Sequence, residues 1–446
     1  METSKKNPLL FSNKDLTALI LPLVVEQFLA VLVGLIDSIM VASVNEAAMS
    51  AVSLVDTINV LLINIFAALA TGGAVVSGQY IGQKRKEEAS KAGEQLMVFI
   101  FIIALAIMAL VYVGKHFILH IIFGQITEEV SAYADTYLMI VTASIPFIAL
   151  YNAGAALFRA MGDSKVSMLT SLLMNGINIA GNAVLIYGLH FKVEGVAIPT
   201  LISRMVAAVV ITVLLCNQKL VIHISMPFRY HFDKNKVKKI LYIGIPNGIE
   251  NSMFQLGKIV LLSLVSTFGT ASIAANAVSN IIAGFAILPG MAIGLALITV
   301  VSQCVGAKDY EQAHFYTKKL MCMALGAMVV TNVLIALALG PLLSVYHLSG
   351  ETEHMARQIL IMHSICACFI WAFSFTLPNT LRAASDVKFA MVVSVGSMWI
   401  CRIVFGIILG KYAGFGVLGV WMAMIMDWCV RSLFFIIRYK SGKWET

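Results

Sequence analysis

Charged side chains are scarce in this 446-residue chain: Asp, Glu, Lys and Arg make up 12% of it, whereas 60% is hydrophobic. A soluble protein usually has about 25% charged residues, so the scarcity excludes an ordinary soluble protein. The seven cysteines form no CxxC pair, which argues against a zinc or redox site. No signal peptide is expected, because the apolar run that follows the polar first 16 residues is too long for one.

Long apolar runs fill the chain instead. A helix needs about 20 apolar residues to cross a bilayer, and windows of this kind predict twelve transmembrane helices. Their approximate limits are 17–43, 48–77, 92–114, 132–157, 166–188, 195–217, 240–267, 272–301, 320–345, 358–380, 389–410 and 415–437. The predicted fold class is therefore an all-α integral membrane protein.

The basic residues are distributed unevenly along the chain. If the N-terminus is cytoplasmic, 23 of the 31 lysines and arginines lie on the cytoplasmic side and four lie in outer loops. Because cytoplasmic loops are enriched in Lys and Arg, both termini are predicted to be cytoplasmic. The expected location is, separately, the cytoplasmic (inner) membrane of a bacterial cell. The same loops account for the net charge of +8, so no nucleic-acid partner is expected.

The two halves of the chain are related. A shift of 224 residues places Pro22 on Pro246, Glu26 on Glu250 and the loop SGQYIGQKRKEEA on VSQCVGAKDYEQA. A shift of 223 places FRAMGDSK on LRAASDVK. Since six spans is an even number, both halves enter the membrane from the same side, and a pseudo-twofold axis along the membrane normal should relate them.

We therefore expect two six-helix lobes around a central cavity. The predicted segments are a cytoplasmic N-terminus, an N-lobe, a cytoplasmic linker, a C-lobe and a cytoplasmic tail, with limits 1–16, 17–218, 219–239, 240–437 and 438–446. The linker is interpreted as a plain basic loop.

Acids inside the predicted spans are candidate functional residues, because a charge at the membrane centre costs roughly 2.5 to 3.5 kcal/mol. With a rise of about 1.5 Å per residue, Glu26 and Glu250 fall near the midplane, where two lobes could share a substrate. Asp37 falls in the outer half of the first lobe. Lys258 either places a fixed ammonium near Glu250 or extends to the outer interface.

Several of these pieces occur in a familiar order. They are LPLVVEQF and GLIDSIMVASV in the first span, IPNGIENSMFQLGKIVLLSLVSTFGTASIAANAVSN in the seventh and eighth, the glycine loops GQYIG and SQCVG, and the pair FRAMGDSK and LRAASDVK. Over essentially its whole length the chain resembles the multidrug and toxic compound extrusion (MATE) family of cation-coupled exporters. The resemblance implies a V-shaped pair of lobes that exports substrate in exchange for inward H⁺ or Na⁺.

The resemblance also implies roles for matching residues. Asp37 corresponds to the ion-coupling carboxylate of the first span, and Pro22 to the residue where that helix bends. Asn178, Asn182 and Thr200 match the rest of an ion site, although Asn182 stands where some members have an acid. No resident metal or cofactor is implied, but Na⁺ could bind transiently at Asp37.

In the second lobe, Glu250 matches a family acid, whereas the tenth-span stretch FIWAFSFTLPN has none. A two-acid cation site is therefore not expected there. The midplane acids Glu26 and Glu250 favour small lipophilic cations as cargo, and the protein is expected to work as a monomer surrounded by membrane lipid. In the hypothesis, a proton reaches Asp37 from outside, the first helix bends near Pro22, and cargo leaves.

Two alternatives stay open from the sequence. One is a flippase or exporter of a lipid-linked or secondary-metabolite substrate in the same superfamily. The other is a membrane-embedded enzyme, which would need clustered His or Asp, and the nine histidines are scattered.

Overall fold

The computed structural model describes residues 9–124, 126–225 and 231–445. Within these ranges, ten helices are long and apolar enough to cross a membrane, and two further helices that meet at 44° make an eleventh span. The twelfth is a 33-residue helix that carries Glu250. Helices suit this setting because each satisfies its own backbone polar groups where no water is available. The predicted all-α fold with twelve transmembrane helices is confirmed.

We number these spans α1 to α12. They are α1 (Asn13–Ala42), α2 (Glu46–Gly82), α3 (Lys86–Val113), α4 (Glu128–Ala143 and Ile145–Ala160), α5 (Ser164–Gly188), α6 (Glu194–Leu215), α7 (Lys234–Ser266), α8 (Thr270–Ala286 and Leu288–Gly306), α9 (Tyr310–Leu337), α10 (Gly350–Ala383), α11 (Val387–Tyr412) and α12 (Gly416–Lys440).

The internal repeat is visible in the backbone of equivalent turns. Lys84 after α2 and Lys308 after α8 have φ angles of 59° and 57°, a left-handed conformation that non-glycine residues rarely adopt. In the turns that follow α4 and α10, Gly162 and Ser385 share it, with φ angles of 86° and 69°. The two halves therefore repeat backbone conformation as well as sequence.

The first helix of each half packs against both lobes. In the cytoplasmic part of α1, Leu16 and Leu23 belong to a buried cluster with Leu297 of α8 and Leu320 of α9. The equivalent part of α7 does the reverse, since its Ile240 lies in a cluster formed mainly by N-lobe residues. The cytoplasmic half of α1 thus packs on the C-lobe, and the cytoplasmic half of α7 packs on the N-lobe.

The lobes touch closely where α2 and α8 reach the cytoplasmic side. A Cβ atom added at Gly82 would overlap the backbone carbonyl of Gln303, and one added at Gly306 would overlap the carbonyl of Gln79. Only glycine permits this approach of the two backbones. The cytoplasmic end of the interface is therefore closed in this structure.

The described part of the linker is docked on the N-lobe. Ile222 is 1% exposed and lies in the N-lobe core. Lys236 forms an ion pair of 2.9 Å with Glu88 of α3 and a second ion pair with Asp233. The hydrogen bond from Lys236 holds the pKa of Asp233 below its usual value. The segment is thus more than a plain basic loop, although residues 226–230 lie outside the described ranges.

Both ends of the described chain pack against the beginning of α9. The backbone N–H of Leu10 donates to Gln312 over 2.9 Å, and the Trp444 ring contacts the Tyr310 ring, with centroids 6.1 Å apart. The two ends therefore lie on the same side of the membrane. Residues 1–8 of the predicted N-terminal segment, and Thr446 of the tail, lie outside the described ranges.

Candidate functional site

Asp37 is the centre of a polar cluster in the outer half of the N-lobe. Its half-buried carboxylate accepts a hydrogen bond of 3.0 Å from the amide of Asn182 on α5. With its amide nitrogen turned toward the carboxylate, Asn178 donates to Asp37 Oδ1 over 2.9 Å and accepts from the Thr200 hydroxyl over 3.0 Å. The structure thus brings together the four residues that the family resemblance assigned to ion coupling.

Two further residues complete this cluster, and sequence reasoning missed one of them, Asp56, altogether. Asp56 of α2 and Arg204 of α6 lie close enough to Asp37 to interact with it electrostatically. Tyr137 donates to Asp56 over 3.1 Å, and Arg204 donates to Ser144 over 2.8 Å. Asp56 could have been found by the rule that singled out Asp37, because it is also an acid inside a predicted span.

The cluster offers oxygen ligands rather than a transition-metal site. No group of three or more His, Cys, Asp or Glu residues that could hold a metal ion occurs among the described residues. Asn182 Oδ1 is buried and has no hydrogen-bond partner in the described part of the chain. Together with the Asp37 carboxylate it is a suitable ligand for a hard cation, which prefers oxygen. The cluster therefore offers a carboxylate that can take up a proton, and oxygen atoms of the type that hard cations prefer.

Glu26 lies deeper in the N-lobe and is already paired. It is 8% exposed, accepts a hydrogen bond of 2.8 Å from Ser167 and lies 3.5 Å from Arg159 at the end of α4. Its carboxylate is therefore engaged within its own lobe.

Glu250 has the equivalent partner in the C-lobe. Both of its carboxylate oxygens accept from Arg382 of α10, over 2.7 and 2.8 Å, and Arg431 of α12 lies 3.6 Å away. Arg382 and Arg159 are the pair that the 223-residue shift aligns. The repeat therefore showed both glutamates and both arginines, but not that they bind each other.

Lys258 lies on the same helix as Glu250 but in different surroundings. Its side chain is exposed, and the charged group that interacts with it is the guanidinium of Arg402 on α11. Arg402 in turn lies over the Phe254 ring, 5.8 Å from its centroid. The lysine is therefore close to a second cation and is not paired with Glu250.

Pro22 interrupts the backbone hydrogen bonds of α1, because proline has no N–H to donate to the carbonyl four residues earlier. That carbonyl belongs to Ala18, and it accepts from the Ser164 hydroxyl over 3.3 Å, while the next carbonyl, of Leu19, accepts over 2.6 Å. Ser164 thus compensates for the missing donor. The proline lies within the cytoplasmic part of α1 that packs on the C-lobe, between Leu16 and Leu23.

Comparison with known protein families shows the same division of the chain into two halves. The sequence model of the MatE family matches residues 22–184 and, a second time, residues 246–408. The two matches begin 224 residues apart, which confirms the internal repeat.

Relatives cover nearly the whole chain. An uncharacterized transporter of Bacillus subtilis, YisQ, is 28% identical over 435 residues, which are 96% of this chain and 94% of that protein. A probable multidrug resistance protein, NorM, of Thermotoga maritima is 24% identical over 445 residues, with 97% and 93% covered.

The fold also matches a solved structure, an outward-facing conformation of a multidrug resistance MATE family transporter of the MOP superfamily. That chain superimposes with a TM-score of 0.90 at 20% identity, and 96% of each chain is covered. With a family match in each half and a shared twelve-helix architecture, this chain belongs to the MATE family of multidrug-type membrane transporters.

Proposed function

We propose that this chain is a secondary active antiporter of the cytoplasmic membrane, with both termini cytoplasmic, that exports small organic compounds in exchange for inward H⁺ or Na⁺. One observation carries the proposal: Asp37 lies half-buried in an oxygen- and amide-lined cluster of the N-lobe, held by Asn182 on a different helix. An ionisable group at membrane depth, in a polar cluster, is typical of ion pathways in transporters.

The hydrogen bonds give the ion a way to change the structure. Ionised Asp37 accepts from the amide nitrogen of Asn182. A protonated Asp37 becomes a donor, and the nearby acceptor is Asn182 Oδ1, which has no partner within the described residues. Protonation therefore weakens the present charge-assisted hydrogen bond. In this proposal the Asn182 amide then turns its Oδ1 toward the new donor, which changes the contact between α1 and α5.

Movement of α1 would reach the other lobe. The outer part of α1 carries Asp37, whereas Leu16 and Leu23 in its cytoplasmic part pack on the C-lobe. Pro22 lies in that packed part, where the helix can bend. In this proposal, ion binding at Asp37 alters the inter-lobe packing of α1 and so favours one of the two access states.

The cargo is less closely constrained. The predicted lipophilic cation relied on Glu26 and Glu250, and both carboxylates are paired with arginines. A cationic cargo stays a prediction, and its remaining support is the pair of acids Asp37 and Asp56. A flippase or an exporter of lipid-linked or secondary-metabolite substrates is the second candidate, favoured by Arg402 and Arg431 inside the C-lobe. Function as a monomer in membrane lipid, without a nucleic-acid partner, stays a prediction too.

The test is dye transport in proteoliposomes with an imposed pH gradient or an imposed Na⁺ gradient. We expect one gradient to drive uptake or efflux of rhodamine 6G or fluorescein, and Asp37→Asn to abolish the gradient-driven part. Glu46→Gln, an exposed acid at the outer end of α2, is the matched control and should transport normally. Gradient-driven transport that survives Asp37→Asn would contradict the proposal.

A further inference from the structure

The interior of the C-lobe contains more basic than acidic groups. Among the described residues of this lobe, the charged groups that interact with one another around Glu250 and Asp427 are these two acids and the bases Lys258, Arg382, Arg402 and Arg431. Buried charges are normally paired, because an unpaired charge in a low-dielectric region is costly. The four bases of this group therefore outnumber its two acids, and one of the four, Lys258, is exposed.

Glu250 is fully engaged, whereas Asp427 is engaged through Oδ1 only, because its buried Oδ2 has no hydrogen-bond partner within the described residues. Glu250 receives both of its short hydrogen bonds from Arg382. Asp427 accepts a hydrogen bond of 2.6 Å from Ser397 and interacts electrostatically with both Arg402 and Arg431. A single carboxylate thus serves two guanidinium groups.

Lys258 lies one turn beyond Phe254 on the same face of α7, and Arg402 lies over the Phe254 ring. Arg402 is the charged group that interacts with Lys258, and in the described part of the chain neither of them forms an ion pair with a carboxylate. Two like charges that approach each other at membrane depth repel. An anion bound between them would remove that repulsion.

A second observation points to an unfilled polar site next to them. Arg431 is 1% exposed, and its Nε and one terminal nitrogen have no hydrogen-bond partner within the described residues. Its guanidinium lies 4.3 Å from the centroid of the Phe375 ring and 5.0 Å from that of Phe254. The Arg431 guanidinium lies against aromatic rings and has N–H groups without an acceptor. It is therefore suited to a ligand that has both an anionic group and an aromatic surface.

The site is open at Lys258. The lysine side chain is exposed, Arg402 and Phe254 are half-buried, and Arg431 is buried. The exposure of the four side chains therefore falls from the accessible ammonium of Lys258 to the buried guanidinium of Arg431. Phe254 contacts both arginines.

We propose that the Lys258, Arg402 and Arg431 face of the C-lobe binds the anionic group of the exported compound, and that the compound is an aromatic carboxylate. This inference rests on the proposed function, since it names the cargo of the same transporter. The carboxylate lies between Lys258 and Arg402, and the aromatic part stacks against Phe254. The acids that handle the coupling ion and the bases that hold the cargo then lie in opposite lobes.

The test is equilibrium binding to the full-length protein in phosphatidylcholine nanodiscs, measured by fluorescence anisotropy. The probes are fluorescein, an aromatic carboxylate, and rhodamine 6G, a cationic ester with the same ring system. Fluorescein should bind more tightly. Lys258→Gln and Arg402→Gln should each weaken its binding at least tenfold, equivalent to about 1.4 kcal/mol, whereas Lys258→Arg should keep it within about threefold. Lys411→Gln, an exposed base at the outer end of α11, is the unchanged control.

Two results would overturn the proposal. One is rhodamine 6G binding that exceeds fluorescein binding and is indifferent to Lys258→Gln. The other is evidence for a lipid site. In that case fluorescein does not bind in phosphatidylcholine nanodiscs, and the Lys258→Gln variant loses phosphatidylglycerol that the unsubstituted protein retains. Because binding needs no gradient, these results are separate from failure of Asp37-dependent transport, which would contradict the proposed function alone.

Discussion

Gln79 and Gln303, which occupy equivalent positions in the two halves of the chain, each donate a hydrogen bond to a backbone carbonyl of the opposite lobe. Gln79 reaches Ala383 over 3.0 Å and Gln303 reaches Ala160 over 2.8 Å. The glycine loop of each half therefore donates a hydrogen bond to the RA-containing motif of the opposite half. This arrangement closes the cytoplasmic end of the transporter, and any inward-open state must break both bonds.

Substitution of Gly82 by Ala should open this interface. Its Cβ would overlap the Gln303 carbonyl, so the lobes must separate. Spin labels at the exposed positions 84 and 308, in a background without the native cysteines, should report a longer distance by electron resonance. Gly326→Ala, where a Cβ meets nothing within 4 Å, is the control, and an unchanged distance distribution for Gly82→Ala would contradict the interpretation.

Replacement of Ser164 by Ala should destabilise the bend of α1. The carbonyls of Ala18 and Leu19 lose their side-chain donor, and an unsatisfied buried acceptor costs about 1 to 3 kcal/mol. A lower apparent unfolding temperature in nanodiscs is expected. Ser38→Ala removes only a hydroxyl that bonds within its own helix and should have little effect; equal effects of the two variants would show that Pro22 needs no compensation.

Arg382→Gln should destabilise the protein more than Arg159→Gln. Removal of one partner of a buried ion pair costs about 3 to 5 kcal/mol, and Glu250 has two short bonds to Arg382 where Glu26 has a single contact of 3.5 Å to Arg159. Adding Glu250→Gln to Arg382→Gln should recover part of the loss, because no unpaired carboxylate remains. Thermal unfolding of the singles and the double measures this, and the absence of recovery would argue against the pairing.

Ile222→Ala should show that the linker is docked. Truncation of a fully buried isoleucine costs about 2 to 5 kcal/mol, whereas a residue in a solvated loop would cost almost nothing. Limited proteolysis should cut the variant faster between the lobes. Lys219→Ala, at an exposed position of the same segment, is the control, and equal cleavage rates would contradict docking.

Much of the fold could be predicted because it depends on local composition. Apolar run length gave the twelve spans, and the family match in each half confirmed the repeat. Prediction was weaker for the linker, since Ile222 packs closely on Gly93 of α3: a Cβ there would lie 2.7 Å from the Ile222 side chain. That complementarity involves residues 129 positions apart and leaves no periodic signal.

The sequence by itself determined the membrane class, the duplication and the set of costly polar residues, because each follows from residue type and spacing. Only the tertiary structure decided what those residues do. It paired Glu26 and Glu250 with arginines, brought Asp56 of α2 near Asp37, and placed Arg402 over the Phe254 ring, one turn from Lys258. The physical reason is that the partner of a helical side chain depends on which face of which neighbouring helix packs against it, and spacing along one helix does not specify this.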